Sequence, residues 1–266
     1  MSHFRFRLPL VGLVAGLVMA SSIGAAQAHG NSAVPTERPT SLRIPRGDVG
    51  GGHRVLIYRP TLAKGKLINE RRVALRLGFR VKVATKDEWS AMTQDEFASF
   101  STIVFGDPSC KGIGDRLDAA IANQATWSAA VDGNVVVGTF DAVWHANHRN
   151  EKPGPERLIA NSLRFTGLGE GTGLDVSLSC YYVGADAGTP VDLLANVGAF
   201  TVTGMEACDR ILIPDPDHPL VRRLTADDLS RWRCSTHAAF DGVPAGFDTV
   251  ATQRDAIPVL VARTVT

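Results

Sequence analysis

The stretch GNVVVGTFDAVWHANH, residues 133–148, predicts how the chain folds. It opens with an apolar run, residues 135–137, which ends at Gly138 and is followed by the polar residues Thr139 and Asp141. A continuous apolar run of this length is typical of a parallel strand that is buried on both faces. Polar residues directly after such a strand lie at the carboxyl edge of an open α/β sheet, where these folds hold their ligands. We therefore expect a parallel sheet with a functional site at this edge.

Strand-like and helix-like segments alternate on both sides of this stretch, across residues 54–266. The predicted strands are at residues 55–58, 79–84, 102–105, 174–183, 200–202, 211–213, 247–251 and 259–261, and the predicted helices at residues 66–77, 114–127 and 191–197 and from Pro155 onward. Alternation of this kind indicates a parallel sheet covered by helices on both faces. The sequence thus predicts one flavodoxin-like α/β domain, a doubly wound and mostly parallel sheet.

The amino-terminal residues indicate export. Arg5 and Arg7 precede an apolar segment, residues 8–19, and Ala26-Gln27-Ala28 has the pattern of a signal-peptide cleavage site. The apolar segment is shorter than the roughly 20 residues that span a membrane. We expect a signal peptide over residues 1–28, an exposed leader rich in proline, glycine, serine and threonine over residues 29–53, and a secreted or periplasmic protein with no membrane association after cleavage.

The four cysteines all lie in the predicted mature chain: Cys110, Cys180, Cys208 and Cys234. An even number of cysteines in an exported protein favours disulfides over metal ligation or thiol catalysis. Their spacing contains no CxxC motif, so we expect two disulfides, no metal site and no cofactor. The sequence leaves all three pairings open.

The charge balance argues against one class of partner. The formal net charge is +1, with 28 basic and 27 acidic residues. We find no run of lysine and arginine that would create a local basic patch, and we therefore exclude nucleic acid as a partner. A small molecule or a carbohydrate is the remaining kind of ligand.

Asp141, His145 and His148 form the densest group of chemically active residues. Residues four apart share one face of a helix, so Asp141 and His145 are the candidate catalytic pair, with His148 a possible third member of a ligand or metal site. The alternative is that Asp141 caps the helix after the strand and that the histidines are turn residues.

Several further residues are candidates for ligand binding. Ser109 and Thr139 each follow a predicted strand, and His218 lies in a turn before Pro219. Ser179 lies beside the aromatic pair Tyr181-Tyr182, and Tyr181 could offer a ring face to a sugar. None of the serines sits in the G-x-S-x-G elbow of serine hydrolases.

Three segments of the chain are similar to known proteins: residues 133–139 at the strand-to-helix turn, residues 216–220 with the sequence PDHPL, and the strand at residues 247–251. Together with the element order, they resemble the class I glutamine amidotransferase-like superfamily, and within it the ThuA-like, trehalose-utilisation branch. The resemblance implies a flavodoxin-like fold for residues 54–261.

The chain departs from that family at its nucleophile. Amidotransferases place a cysteine in a Gly-x-Cys-x-Gly elbow, whereas this chain has Phe140 at the centre of residues 138–142, and the His-x-Glu pair is missing from its C-terminal third. Phenylalanine cannot attack a carbonyl, so we expect no glutaminase activity. The favoured hypothesis is a ligand- or carbohydrate-binding module, and the alternative is a secreted hydrolase that cleaves a glycan or amide with Asp141 and His145.

Overall fold

The computed structural model describes most of the predicted domain. It covers residues 52–266, with the exception of Ser109, residues 111–114, residues 148–152, Asp209, Arg231, Arg233, Asp255 and Thr266. The predicted signal peptide and nearly all of the predicted leader lie outside the described residues. Within the described part, no helix combines the length and apolar character needed to cross a membrane.

Two sheets organise the described residues. Their strands are β1 (Arg54–Tyr58), β2 (Arg80–Ala84), β3 (Thr102–Phe105), β4 (Val135–Gly138), β5 (Gly173–Ser177), β6 (Thr189–Pro190), β7 (Thr201–Ala207), β8 (Thr236–Gly242), β9 (Asp248–Thr252) and β10 (Pro258–Arg263). The large sheet has the order β2-β1-β3-β5-β4-β10-β9, and the small one the order β6-β7-β8. Strands β1 to β5 pair in parallel, whereas β10 is antiparallel to both β4 and β9.

Helices lie between the successive parallel strands of the large sheet, and a further helix lies between β7 and β8 of the small sheet. They are α1 (Glu70–Arg76), α2 (Lys86–Ala91), α3 (Gln94–Ala98), α4 (Asp118–Ala122), α5 (Gln124–Ser128), α6 (Ala142–Ala146), α7 (Gly154–Gly167) and α8 (Ala226–Ser230). Capping boxes begin α2 and α3, where Thr85 and Thr93 each exchange hydrogen bonds with the glutamate three residues on. Gly78 ends the α1 region with a φ of +88°, a conformation that glycine adopts without steric cost.

The strands send alternate side chains to two separate cores. In β1, Val55 and Ile57 pack with α1, α6, α7 and α8, whereas Leu56 and Tyr58 pack with α2 to α5. On the second face Trp89 lies at the centre of an aromatic cluster, with ring centroids 4.8 Å from both Tyr58 and Phe97. Helices therefore cover both faces of the large sheet, which confirms the predicted flavodoxin-like, doubly wound α/β fold.

Several predicted elements are wrong in extent. The helix predicted over residues 114–127 breaks at Asn123 into α4 and α5, and the strand predicted over residues 174–183 ends at Ser177 and continues as a 3₁₀ turn, Ser179–Tyr182. The predicted helix at residues 191–197 is a 3₁₀ turn, Asp192–Leu194. The predicted strand at residues 211–213 is an isolated bridge between Leu212 and Thr252. The predicted strand at residues 200–202 belongs to the small sheet, of which β8 was not predicted.

Candidate functional site

The segments that follow β1, β3 and β4 are tied together at the carboxyl edge of the large sheet. The backbone N–H of Gly106 donates to Thr61 Oγ1 at 2.9 Å, and that of Asp107 donates to Glu70 Oε1 at 2.7 Å. Asp107 in turn accepts from the N–H of Val143 at 2.9 Å and so caps α6. Asp141 stands at the N-cap position of α6, as the alternative expected, but its side chain makes no capping hydrogen bond to that helix.

A small cavity under this edge is lined by three buried carboxyls, those of Glu70, Asp107 and Asp175. Its volume is about 40 Å³, enough for a water molecule. Gly106 leaves room for Glu70, because a Cβ at Gly106 would stand 2.8 Å from the Glu70 carboxyl carbon. Among the described residues, Glu70 Oε2 has no hydrogen-bond partner.

Burial shifts the proton equilibria of two of these carboxyls. Desolvation, reinforced by the charge of Asp107, raises the pKa of Glu70 to about 8. Desolvation alone raises the pKa of Asp175 to about 7. Both carboxyls therefore keep their protons to a higher pH than exposed carboxyls do. A carboxylic acid held neutral in this way can donate a hydrogen bond as well as accept one.

Asp141 lies between two histidines. Its Oδ1 is 3.0 Å from His145 Nε2, and its Oδ2 is 3.1 Å from His237 Nε2. The Asp141 side chain is almost fully buried, while those of His145 and His237 are 6% and 13% exposed. The predicted pairing of Asp141 with His145 is thus present, and the structure adds His237 from β8. Asp141 is hydrogen-bonded to His237, whereas His145 Nε2 also lies 3.3 Å from the carbonyl oxygen of Cys234.

Two disulfides are present, Cys110–Cys180 and Cys208–Cys234. They confirm the prediction that all four cysteines are paired, and they are compatible with a secreted protein. Cys110–Cys180 joins the segments after β3 and β5, so it lies at the same edge of the sheet as Asp141.

The remaining predicted ligand-binding residues are spread more widely. Thr139 is fully buried, and its hydroxyl donates to the carbonyl of Val259 at 3.1 Å. His218 accepts from the N–H of Leu220 and packs on Phe165 in the last turns of α7, away from the carboxyl edge. Tyr181 packs against the core on the α2 to α5 side, where desolvation raises its pKa. Ser109, His148 and the side chain of Ser179 lie outside the described residues.

Phe140 directly follows Thr139 in the turn between β4 and α6. Its side chain is buried and packs on Trp232 with ring centroids 5.4 Å apart. Ser177 donates to the carbonyl of Phe140, which further fixes the turn. Phe140 therefore contributes to the hydrophobic core.

A wide basic groove opens beside this site, at the ends of β1 and β2. Its volume is about 650 Å³, and its lining includes six cationic side chains: Arg59, Lys64, Arg71, Arg72, Lys86 and Arg116. Lys86 is ion-paired with Asp115 at 2.9 Å, and Arg116 donates to the carbonyl of Pro60. Arg59, Lys64, Arg71 and Arg72 have no ion pair with any described residue. The lining itself contains no acidic residue.

The groove corrects the expectation that the chain has no local basic patch. Four of its cations lie within residues 59–72, which contain Glu70 as their only acidic residue. This excess of basic residues in one segment could have predicted a basic surface from the sequence. Lys86 and Arg116 join them only because β1, β2 and β3 are neighbours in the sheet. Glu70, Asp107 and Asp175 were also missed, since isolated acidic residues in a sequence give no sign of burial.

The fold and its polar edge define the chain as an open, doubly wound α/β protein with a candidate binding site at the carboxyl ends of its parallel strands. No protein-family model, curated protein or solved structure matches the chain. The resemblance to the amidotransferase-like superfamily therefore stays a prediction.

Proposed function

We propose that the protein is a non-catalytic binding module whose ligand is an acidic carbohydrate held in the basic groove. The observation that carries this proposal is the set of six cations around one cavity without an acidic side chain in its lining. Four of the six are arginines, whose planar guanidinium groups match carboxylate, sulfate and phosphate groups in a bidentate geometry.

The size and place of the groove support a ligand of several rings. A volume of about 650 Å³ is in the range of small-molecule binding sites. The groove also lies at the carboxyl edge of the sheet, where the chain leaves β1 and β2 toward opposite faces and α/β folds bind ligands. Phe140 at the elbow supports a role in binding because it removes the family nucleophile.

We expect a trisaccharide of galacturonic acid to bind and the neutral galactose trisaccharide to bind at least about tenfold more weakly, because only the former carries carboxylates. Isothermal titration calorimetry at low and high salt measures both. The affinity should fall as salt rises, since the contacts are exposed charges. Inorganic phosphate and a sulfated disaccharide, used as further probes, distinguish which anion the arginines prefer.

The double substitution Arg71→Glu, Arg72→Glu should weaken this binding by roughly tenfold or more. Both residues are exposed in the first turn of α1, where acidic side chains are favourable to a helix, so folding should be retained. Arg80→Glu, at the exposed amino-terminal end of β2, is the matched control and should bind as the unchanged protein does. The proposal fails if no charged saccharide binds, if the double variant binds normally, or if a single-stranded oligonucleotide binds more tightly than every saccharide.

A second candidate function is hydrolysis of a glycan or amide bond, and the His145–Asp141–His237 contacts favour it. A carboxylate that orients an imidazole is the usual support of a general base. The low exposure of both rings, however, leaves little surface for a substrate, so the binding module remains the first proposal.

A further inference from the structure

Four potential metal ligands converge beside the basic groove, at the carboxyl edge of the sheet. Cys110 follows β3, Asp141 follows β4, Cys180 lies in the 3₁₀ turn after β5, and His237 belongs to β8. One ligand atom from each, two sulfurs, a carboxylate oxygen and a ring nitrogen, lies within 4.8 Å of all the others. The fold thus assembles four ligands that are far apart in the sequence.

In the oxidised protein the two sulfurs are bonded to each other. A dithiol can open this bond: one of its thiolates attacks a sulfur, the Cys110–Cys180 bond breaks and a mixed disulfide forms. The second thiol of the reductant then displaces the remaining protein sulfur. The protein is left with two cysteine thiols and the reductant with a disulfide, so two electrons and two protons have been transferred.

We propose that reduction of Cys110–Cys180 by a dithiol creates a zinc site formed by these two cysteines, Asp141 and His237. Tetrahedral zinc has bonds of about 2.3 Å to sulfur and about 2.0–2.2 Å to nitrogen and oxygen, which places its ligand atoms roughly 3.3–3.8 Å apart. The four atoms lie within 4.8 Å of one another, and the two sulfurs must move apart after their bond breaks to reach this geometry. The thiols lose their protons to solvent as the ion binds.

The surroundings of the cluster suit such a site. Asp141 and Cys180 are buried, whereas Cys110 is exposed and gives a reductant and an ion access to the sulfurs. His145 Nε2 lies 3.0 Å from Asp141 Oδ1, and outer contacts of this kind orient a ligating carboxylate. The other disulfide, Cys208–Cys234, belongs to no such cluster within the described residues and serves as an internal control.

The test is cobalt binding by the full mature chain. The protein is reduced with dithiothreitol without oxygen, freed of the reductant and titrated with Co²⁺. We expect one ion per chain, with the visible absorption of tetrahedral cobalt and a sulfur-to-cobalt charge-transfer band, and we expect zinc to displace the cobalt. The oxidised protein should show neither band, because its sulfurs are not thiolates.

Substitutions assign the ligands. Cys110→Ser with Cys180→Ser should abolish the charge-transfer band, and His237→Ala should weaken cobalt binding by about tenfold or more. Cys208→Ser with Cys234→Ser should leave both bands in place. Equal binding by the Cys110→Ser, Cys180→Ser variant would overturn the proposal, as would the absence of binding at micromolar cobalt. If reduction unfolds the chain, added zinc must restore its circular dichroism spectrum, and failure to do so also overturns the proposal.

Discussion

Raising the pH from about 5 to about 7 is expected to lower the free energy of unfolding, because two carboxyls, Glu70 and Asp175, are buried. Each carboxyl should contribute up to about 1.4 kcal/mol per pH unit. Burial raises the pKa of Glu70 from 4.5 to about 8 and that of Asp175 from 3.8 to about 7. Between the two values the unfolded chain has lost the proton that the folded protein keeps. The folded state is therefore favoured at low pH and loses stability as the pH rises through this window.

Urea unfolding at a series of pH values measures this slope. Asp175→Asn and Glu70→Gln should each reduce this slope by up to about 1.4 kcal/mol per pH unit, because an amide does not titrate. Both variants should gain stability relative to the unchanged protein as the pH rises. Glu70→Gln keeps an oxygen that can accept from the N–H of Asp107, so its packing is preserved. Asp186→Asn, at an exposed carboxyl, should leave the slope unchanged, and equal slopes in all variants would contradict the assignment.

The large sheet could be predicted because its strands are buried on both faces. Residues 102–105 and 135–137 are continuous apolar runs, and their parallel pairing places the following residues at one edge. The small sheet could not be predicted in the same way. Strand β8 contains polar residues and pairs with β7 across the intervening chain, so neither its composition nor its neighbours identify it.

The sequence predicts only the part of the candidate site whose residues are close together along the chain. Asp141 and His145 are four residues apart, and a helical turn brings them together. His237 reaches the same carboxylate from 96 residues away, through the bridge between Phe140 and Thr236. Glu70 stands at the first position of a helix, where acidic residues are favourable and usually exposed. Only tertiary packing buries its side chain beside the cavity.

The binding module and the zinc site use different parts of the same edge. The groove is built from the segments after β1 and β2 with Arg116, whereas the ligand cluster is built from those after β3, β4 and β5 with β8. Charge reversal at Arg71 and Arg72 should therefore leave cobalt binding intact, and loss of His237 should leave saccharide binding intact. The two proposals can fail independently.

Asp141→Ala should lower the free energy of unfolding by about 1–3 kcal/mol, because it removes the hydrogen-bond partner of the mostly buried His237 and the carboxylate beside His145. Asp141→Asn retains one oxygen that accepts a hydrogen bond, so it should cost less. Chemical denaturation of both variants, with the exposed substitution Asp217→Asn as the control, measures the difference. A loss no greater than that of the control would contradict a structural role for Asp141.

The same variants separate the two candidate functions when both the turnover rate and the free energy of unfolding are measured. If Asp141 orients a catalytic histidine, Asp141→Asn and His145→Ala should each abolish turnover of a glycan or amide substrate that the unchanged protein cleaves, with only a small loss of stability. If the cluster is structural, His145→Ala should cost on the order of 1 kcal/mol or more, as the loss of a buried hydrogen-bond partner does. Full turnover by His145→Ala on such a substrate rules out a hydrolase that uses His145. Because both rings are largely buried around one carboxylate, we expect the loss to be in stability.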